Sequence, residues 1–115
     1  MINGTLFQLT RRGEPAGSCT PLASAIVEFR CGALCVFVRE QSQDLLPGIP
    51  NLYCVDSALR LQWIAEWPDA CGPCIRILDA TETMLEAESE SGAIVRLDCA
   101  TGRLLGVDQL MSAAG

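Results

Sequence analysis

The sequence predicts an all-β fold, an antiparallel meander of about eight or nine strands in one domain that covers residues 1–115. Apolar and polar residues alternate over most of the chain with the period of a half-buried strand. Short turn signals rich in glycine, proline and aspartate separate these stretches. A chain of 115 residues, half of them hydrophobic, is long enough for one compact core and too short for two.

The first clear strand is expected at residues 25–31, where Val27 and Phe29 alternate with Glu28 and Arg30. This alternation predicts a half-buried strand with the apolar side chains, including the following Cys31, on one face and the charged ones on the other. Later runs of the same kind are expected to form strands at 34–39, 52–56, 59–67, 74–79, 93–98 and 103–107.

Residues 81–91 allow two interpretations. Methionine, leucine, alanine and glutamate have good helix propensity. From Leu85 to Glu90, however, small or apolar residues alternate with glutamates, and a plausible hairpin turn follows at Ser91 and Gly92. We therefore favour a strand here. At the C-terminal end, residues 108–114 are expected to form one helical turn.

An internal repeat supports a meander built from four-stranded units. The stretches that begin at Leu52 and Ile94, 42 residues apart, share one order: a strand, an aspartate, small residues, a turn, and Arg-Leu in the next strand. The second stretch contains VRLDCATGRLLG (95–106) and resembles the repeat of quinoprotein-type β-propellers. This resemblance implies blade-like antiparallel sheets, packed as a sandwich or half-propeller, and implies no cofactor. The aspartates, Asp56 and Asp98, would accept backbone N–H bonds within the turns.

The charge balance favours a basic protein as the partner. The chain has 14 Asp and Glu against 8 Arg, a net charge of −6 and no histidine. This charge disfavours nucleic acid, and the missing histidine removes the usual general base, so an enzyme is disfavoured. No apolar run approaches the length of a membrane span, and the N-terminus does not read as a secretion signal, so we expect a cytoplasmic protein.

The letters CGPC at residues 71–74 match the redox motif of thioredoxins. Two such cysteines at a helix N-terminus have a lowered thiol pKa and cycle through a disulfide. Here residues 75–79 are strand-like rather than helical, and no proline follows Pro73. We therefore expect a Gly-Pro turn between two strands, and a dithiol redox function of Cys71 and Cys74 is the alternative.

Zinc binding by the same cysteines is a further alternative. Cys71 and Cys74 would supply half of a four-cysteine site, and Cys31 and Cys35 the other half. Because Cys31 and Cys35 lie in strand patterns, about 13 Å apart at strand rise, they cannot chelate one ion unless the chain bends sharply at Gly32.

The acidic residues of the second half are expected to form the docking surface for the basic partner. If 81–91 is a strand, three glutamates line one of its faces, and acidic residues near Trp63 and Trp67 extend this surface. The predicted partner-binding residues are Glu66, Asp69, Glu82, Glu86, Glu88 and Glu90. The alternative is a solvated face that protects a sheet edge from pairing.

A short, acidic, all-β chain of this kind resembles the immunity proteins of bacterial polymorphic-toxin and contact-dependent inhibition systems. The resemblance is one of type and rests on no shared motif. It implies a non-enzymatic protein, without a cofactor, that binds and blocks a cognate toxin domain, often a basic nuclease. A third possibility is a scaffold module that associates with copies of itself through unpaired sheet edges.

Overall fold

The computed structural model describes residues 5–9, 15–19, 21, 25–32, 35–41 and 50–109. These residues contain ten β-strands and one short 3-10 helix at Asp69–Cys71. The strands are β1 (Leu6–Leu9), β2 (Pro15–Cys19), β3 (Ile26–Cys31), β4 (Cys35–Glu40), β5 (Leu52–Asp56), β6 (Leu61–Ile64), β7 (Cys74–Ala80), β8 (Met84–Ser89), β9 (Ala93–Asp98) and β10 (Leu104–Gln109).

Eight of these strands form two four-stranded antiparallel sheets, which confirms the predicted all-β meander. The first sheet has the order β3-β4-β5-β6 and the second the order β7-β8-β9-β10, so neighbours in sequence are neighbours in space. Strands β1 and β2 form a separate hairpin. The two sheets are not closed into a barrel or a propeller.

The main core lies between the two sheets. Phe37 and Cys54 of the first sheet belong to one buried cluster with Leu85, Val95 and Leu97 of the second, and none of these side chains is more than 1% exposed. Fully burying a large apolar side chain stabilises the fold by roughly 1.5–3 kcal/mol. This shared core holds the sheets against each other and forms the walls of the cleft described below.

The strand interpretation of 81–91 is confirmed by β8. Leu85, Ala87 and Ser89 are completely buried, while Glu86 and Glu88 lie on the opposite face. Strand β8 is paired with β7 on one side and β9 on the other. Because two neighbouring strands satisfy its backbone and the core covers one face, tertiary context overrides the helix propensity of its residues.

The two repeated aspartates have the predicted role in their turns. Asp56 Oδ1 accepts the backbone N–H groups of Ala58 (2.8 Å) and Arg60 (2.9 Å), and Asp98 Oδ1 accepts that of Ala100 (2.7 Å). Each turn connects the third strand of a sheet with the fourth. The hydrogen bonds from the backbone N–H groups of Arg60 and Ala58, the first being the larger cause, hold the pKa of Asp56 below its usual value, because they favour the charged carboxylate.

The faces of β3 are the reverse of the prediction. Val27 and Phe29 are 41% and 43% exposed, whereas Glu28 and Arg30 are half-buried and bond to β7. Glu28 Oε1 accepts the backbone N–H of Ile77 (3.0 Å), and Arg30 donates to the carbonyl of Leu78 (2.8 Å). Strand β7 is an edge of the second sheet, so backbone groups on its outer side have no partner strand. Glu28 and Arg30 supply partners for two of them, the N–H of Ile77 and the carbonyl of Leu78.

The alternation over 59–67 yields a shorter strand than expected, β6 at Leu61–Ile64. An irregularity opposite Cys54 shifts its register, so Trp63 is buried while Leu61 is 48% exposed. The expected single face from Leu59 to Trp67 is therefore wrong at Leu61. Leu59 itself lies in the preceding turn, with a left-handed φ of 64°.

The C-terminal helical turn is not formed at residues 108 and 109, which belong to β10. The rest of that predicted turn, 110–114, lies outside the described residues. In the described part of the chain, no helix is long and apolar enough to cross a membrane.

Candidate functional site

The exposed glutamates predicted to bind a partner lie at opposite ends of the second sheet. Glu82 lies in the turn between β7 and β8, and Glu90 lies in the turn between β8 and β9. The six residues of β8 separate these turns, which corresponds to roughly 20 Å at strand rise. Neither carboxylate has an arginine partner among the described residues.

The glutamates inside β8 are paired with arginines on the neighbouring strands. Glu88 Oε1 lies 2.7 Å from Arg76 Nε, and Glu86 Oε2 lies 2.9 Å from Arg96 Nε. Arg96 Nη1 also lies 2.6 Å from Asp108 Oδ2. The hydrogen bond with Asp108 and, to a smaller extent, the one with Glu86 raise the pKa of the Arg96 guanidinium. We call these five residues the charge ladder. Positive and negative side chains alternate across the outer face of the second sheet, so the acidity expected there is largely neutralised.

Glu66 has a structural contact between the two sheets. Its Oε1 accepts the backbone N–H of Leu104 at 2.8 Å, and its own backbone N–H donates to the carbonyl of Gly102 at 2.9 Å. These bonds connect the segment after β6 to the turn before β10. Asp69 begins the 3-10 helix, and its side chain lies outside the described part of the chain.

The CGPC residues form a buried turn that leads into β7. Cys71 ends the 3-10 helix, Gly72 has a left-handed φ of 72°, and Cys74 begins the strand. Cys71 is 6% exposed, and Cys74 is completely buried. Burial raises the pKa of the Cys74 thiol to about 12, because the buried site disfavours the thiolate. Asn51 holds the turn by bonding both the N–H and the carbonyl of Cys74, at 2.9 and 2.8 Å.

The cysteines of the zinc alternative lie apart from one another. Cys31 is exposed on the outer face of the first sheet, and Cys35 lies on the inner face. Cys74 begins β7, whereas Cys35 lies near the turn at the other end of that strand. Among the described residues, no group of three or more His, Cys, Asp or Glu side chains is arranged to hold a metal ion.

A cleft of about 630 Å³ opens between the two sheets, a feature that the sequence did not indicate. It lies at the end of the molecule where the turns after β3, β5, β7 and β9 gather. The rings of Phe37 and Trp63 line it, with centroids 6.0 Å apart, and Trp63 Nε1 donates to the carbonyl of Cys99 at 3.0 Å. Asp56 and Glu82 add two carboxylates to the lining.

Three cysteines, Cys35, Cys54 and Cys99, line this cleft. Cys35 and Cys54 project from the same face of neighbouring strands. Cys54 donates its thiol to the carbonyl of Val55 at 3.6 Å, and Cys99 donates its thiol to the carbonyl of Thr81 at 3.4 Å. Burial, reinforced by Cys35, raises the pKa of the Cys54 thiol far above its usual value. Residues 35, 54 and 99 have no motif spacing, so only folding reveals that they are neighbours.

The outer face of the first sheet carries two uncharged rows of side chains, which we call the apolar face. Cross-strand pairing places residues of β3, β4, β5 and β6 side by side in each row. The middle of each row is buried or half-buried, and both ends are exposed. The rows are Phe29, Val38, Tyr53 and Ile64, and Cys31, Val36, Val55 and Leu61.

No protein-family model matches this chain, and no curated protein matches it. Functional inference therefore rests on the geometry and chemistry of the described residues. In the sequence, the alternation of Val27 and Phe29 with charged residues indicated an apolar face on β3. That pattern predicted burial of this face in the core, whereas in the structure both side chains are exposed.

Proposed function

We propose that the chain is a non-enzymatic protein-binding protein of the immunity type, which binds and blocks a cognate basic toxin domain. The apolar face of the first sheet is the observation that carries this proposal. Its exposed ends include Phe29 (43% exposed), Leu61 and Ile64 (48% each). Phe29 lies on the edge strand β3, and Leu61 and Ile64 lie on the opposite edge strand β6, so the exposed apolar side chains border the face on two sides. A partner that spans the face would cover both borders, and covering exposed apolar surface favours association.

The exposed apolar side chains supply the contact energy of the proposed interface. Covering the exposed half of Phe29, Leu61 or Ile64 stabilises a complex by roughly 1 kcal/mol per side chain. The buried centre of the face, with Val38 and Tyr53 at 0% and 1% exposure, gives these side chains a rigid support. A rigid support lowers the ordering cost that a partner must overcome on binding.

The charge of the chain supplies attraction at a distance. A net charge of −6 attracts a basic partner and increases its association rate, an effect that salt weakens. Exposed carboxylates without a described arginine partner, such as Glu82 and Glu90, contribute to this field. In this proposal the acidic residues guide the approach, and the exposed ends of the uncharged rows make the docked contact.

Photo-crosslinking in cells of the source identifies the partner. A photo-activatable amino acid at position 29 should capture one basic protein, whereas the same amino acid at position 105, on β10 of the second sheet, should not. Leu105 is a matched control because it is also an exposed apolar residue, at 56%. Crosslinks only between copies of this chain would replace the proposed partner with self-association.

The purified partner then allows a quantitative test. The double variant Phe29→Ser/Ile64→Ser should weaken binding by roughly tenfold to a hundredfold, while Leu105→Ser should leave it unchanged. Co-expression of the wild-type chain should restore the growth of cells that make the partner, and the double variant should restore it less. A partner that is not toxic, or that binds both variants equally, contradicts the proposal.

A further inference from the structure

Cys35 and Cys54 place two thiols side by side in the wall of the cleft. They lie on neighbouring strands, and both project from the inner face of the first sheet because Cys54 is paired with Phe37, two residues after Cys35. As diagonal neighbours the two side chains lie within reach of each other across the strands, and Cys54 donates its thiol to the carbonyl of Val55 at 3.6 Å. Cys35 is half-buried and faces the open cleft, whereas Cys54 is only 1% exposed.

We infer that this pair is a binding site for a soft monovalent cation of the Cu(I) type, held between the sulfur atoms of Cys35 and Cys54. Thiolate sulfur selects soft cations over Mg²⁺ and Ca²⁺. Cu(I) accepts two sulfur ligands in a linear arrangement and needs no third one. Structural zinc needs four ligands, and the described residues offer no such group.

The surroundings of the pair fit a cation with two sulfur ligands. Cys99, the third thiol of the cleft, belongs to the turn after β9 in the second sheet, whereas both members of the pair belong to the first sheet. The rings of Phe37 and Trp63 limit water beside the pair. The carboxylate of Glu82 lines the same cleft and attracts cations into it, whereas that of Asp56 is paired with Arg60 at 3.3 Å.

Binding at this pair is a proton exchange without electron transfer. Each thiol releases one proton, and two copper–sulfur bonds form. The occupied site, two thiolates and one Cu⁺, has a net charge of −1. No oxidant or reductant is consumed. Because both ligands must be deprotonated, the uptake of the ion is accompanied by measurable proton release.

The chain contains two internal controls for this pair. Cys31 lies in the same hairpin as Cys35, but its side chain is exposed on the opposite face of the sheet. Cys71 and Cys74 form a second pair of buried cysteines, near the other end of β7. Serine substitutions therefore distinguish the possible sites. Copper affinity should fall in the Cys35 variant for the proposed site, in the Cys71 and Cys74 variant for a site at CGPC, and in the Cys31 variant for nonspecific capture by an exposed thiol.

The test is an anaerobic titration of the reduced full-length chain with Cu(I) in competition with a chromophoric Cu(I) chelator. We expect one tightly bound Cu(I) per chain, release of two protons, and a thiolate-to-copper band in the ultraviolet. Cys35→Ser should weaken binding by more than about tenfold, and Cys31→Ser should leave it unchanged. Circular dichroism verifies that both variants keep the wild-type fold.

X-ray absorption at the copper edge of the wild-type complex adds a measurement that needs no variant. Two sulfur ligands support the proposed site, whereas three or more sulfur ligands overturn it. Equal affinity of Cys35→Ser and the wild type, or loss of binding only in Cys71→Ser/Cys74→Ser, also overturns it. These outcomes are independent of partner binding, because the apolar face lies on the opposite side of the first sheet.

Discussion

Among single residues, Gly102 determines how closely the two sheets approach each other. The indole ring of Trp63 lies against it, and a Cβ atom at position 102 would be 2.4 Å from Trp63 Cε3. Gly102 also has a left-handed φ of 75°, which residues with a side chain adopt at a cost. Its carbonyl accepts the backbone N–H of Glu66. One residue without a side chain thus allows Trp63 to dock on the turn of the other sheet.

Gly102→Ala should therefore destabilise the fold by about 2–4 kcal/mol, the sum of backbone strain and overpacking against the ring. Gly92→Ala is a matched control. Gly92 has a φ of 90°, but nothing lies within 4 Å of the position that a Cβ atom would occupy. It should cost only about 1–2 kcal/mol, the strain alone. Denaturant unfolding measures both, and equal losses would contradict the role of the Trp63 contact.

At the scale of elements, β8 shows how neighbouring strands change the meaning of a charge pattern. Its glutamates look like an acidic surface when the strand is considered alone. Within the sheet, Arg76 and Arg96 face Glu88 and Glu86 from either side. The charge ladder therefore helps the pairing of β7, β8 and β9, because opposite charges face each other across neighbouring strands.

Reversing one charge of the ladder tests this interpretation. Glu86→Lys places a like charge opposite Arg96 and should destabilise the chain by about 0.5–1 kcal/mol. Glu90→Lys makes the same change at an exposed glutamate without a described arginine partner, and it should have little effect on stability. Thermal unfolding of both variants at low salt measures the difference. A larger loss for Glu90→Lys would mean that the pairing does not stabilise the sheet.

For the whole molecule, the two outer faces differ in character. The first sheet is apolar on its inner face and mainly apolar on its outer face, where the buried Glu40 accepts a hydrogen bond from Tyr53. The second sheet is apolar inside and charged outside. A charged outer face is stable in water, and an apolar one with exposed ends gains free energy when it is covered. This asymmetry is the reason why our proposal assigns the partner to the side of the first sheet.

The shared core also predicts how stability depends on pH. Burial raises the pKa of Cys74 from 9.0 to about 12 and raises that of Cys54 further. The unfolded chain therefore loses these thiol protons at lower pH than the folded chain does. The stabilisation is fully present below pH 9 and is lost as the pH rises toward 12. Denaturant unfolding at pH 10 should show a loss on the order of 1 kcal/mol from Cys74.

Cys74→Ala provides the check on this pH effect. The variant should be less stable at neutral pH because it leaves a small cavity, but its stability should fall less steeply above pH 9. The exposed Cys31 should have no such effect, so Cys31→Ser should retain the slope of the wild type. A steep alkaline loss in all three proteins would assign the effect to other groups.

Local patterns in the chain predicted the strands and turns because these depend on neighbours in sequence. The strands at 52–56 and 93–98 have the expected bounds, and the turns at Asp56 and Asp98 have the expected bonds. The faces of β3 were not predictable in the same way. Alternation separates two faces of a strand, but it does not say which face meets the edge of another sheet, where Glu28 and Arg30 bond to β7.

The candidate sites divide along the same line. The sequence by itself determined the all-β class, the repeated turns, the acidic charge and the strand that follows CGPC, because each depends on composition or on neighbouring residues. Only the tertiary structure decided which cysteines meet, which glutamates are neutralised and which apolar residues are exposed. Those properties depend on contacts between strands far apart in the chain, such as Cys35 with Cys54 and Trp63 with Gly102.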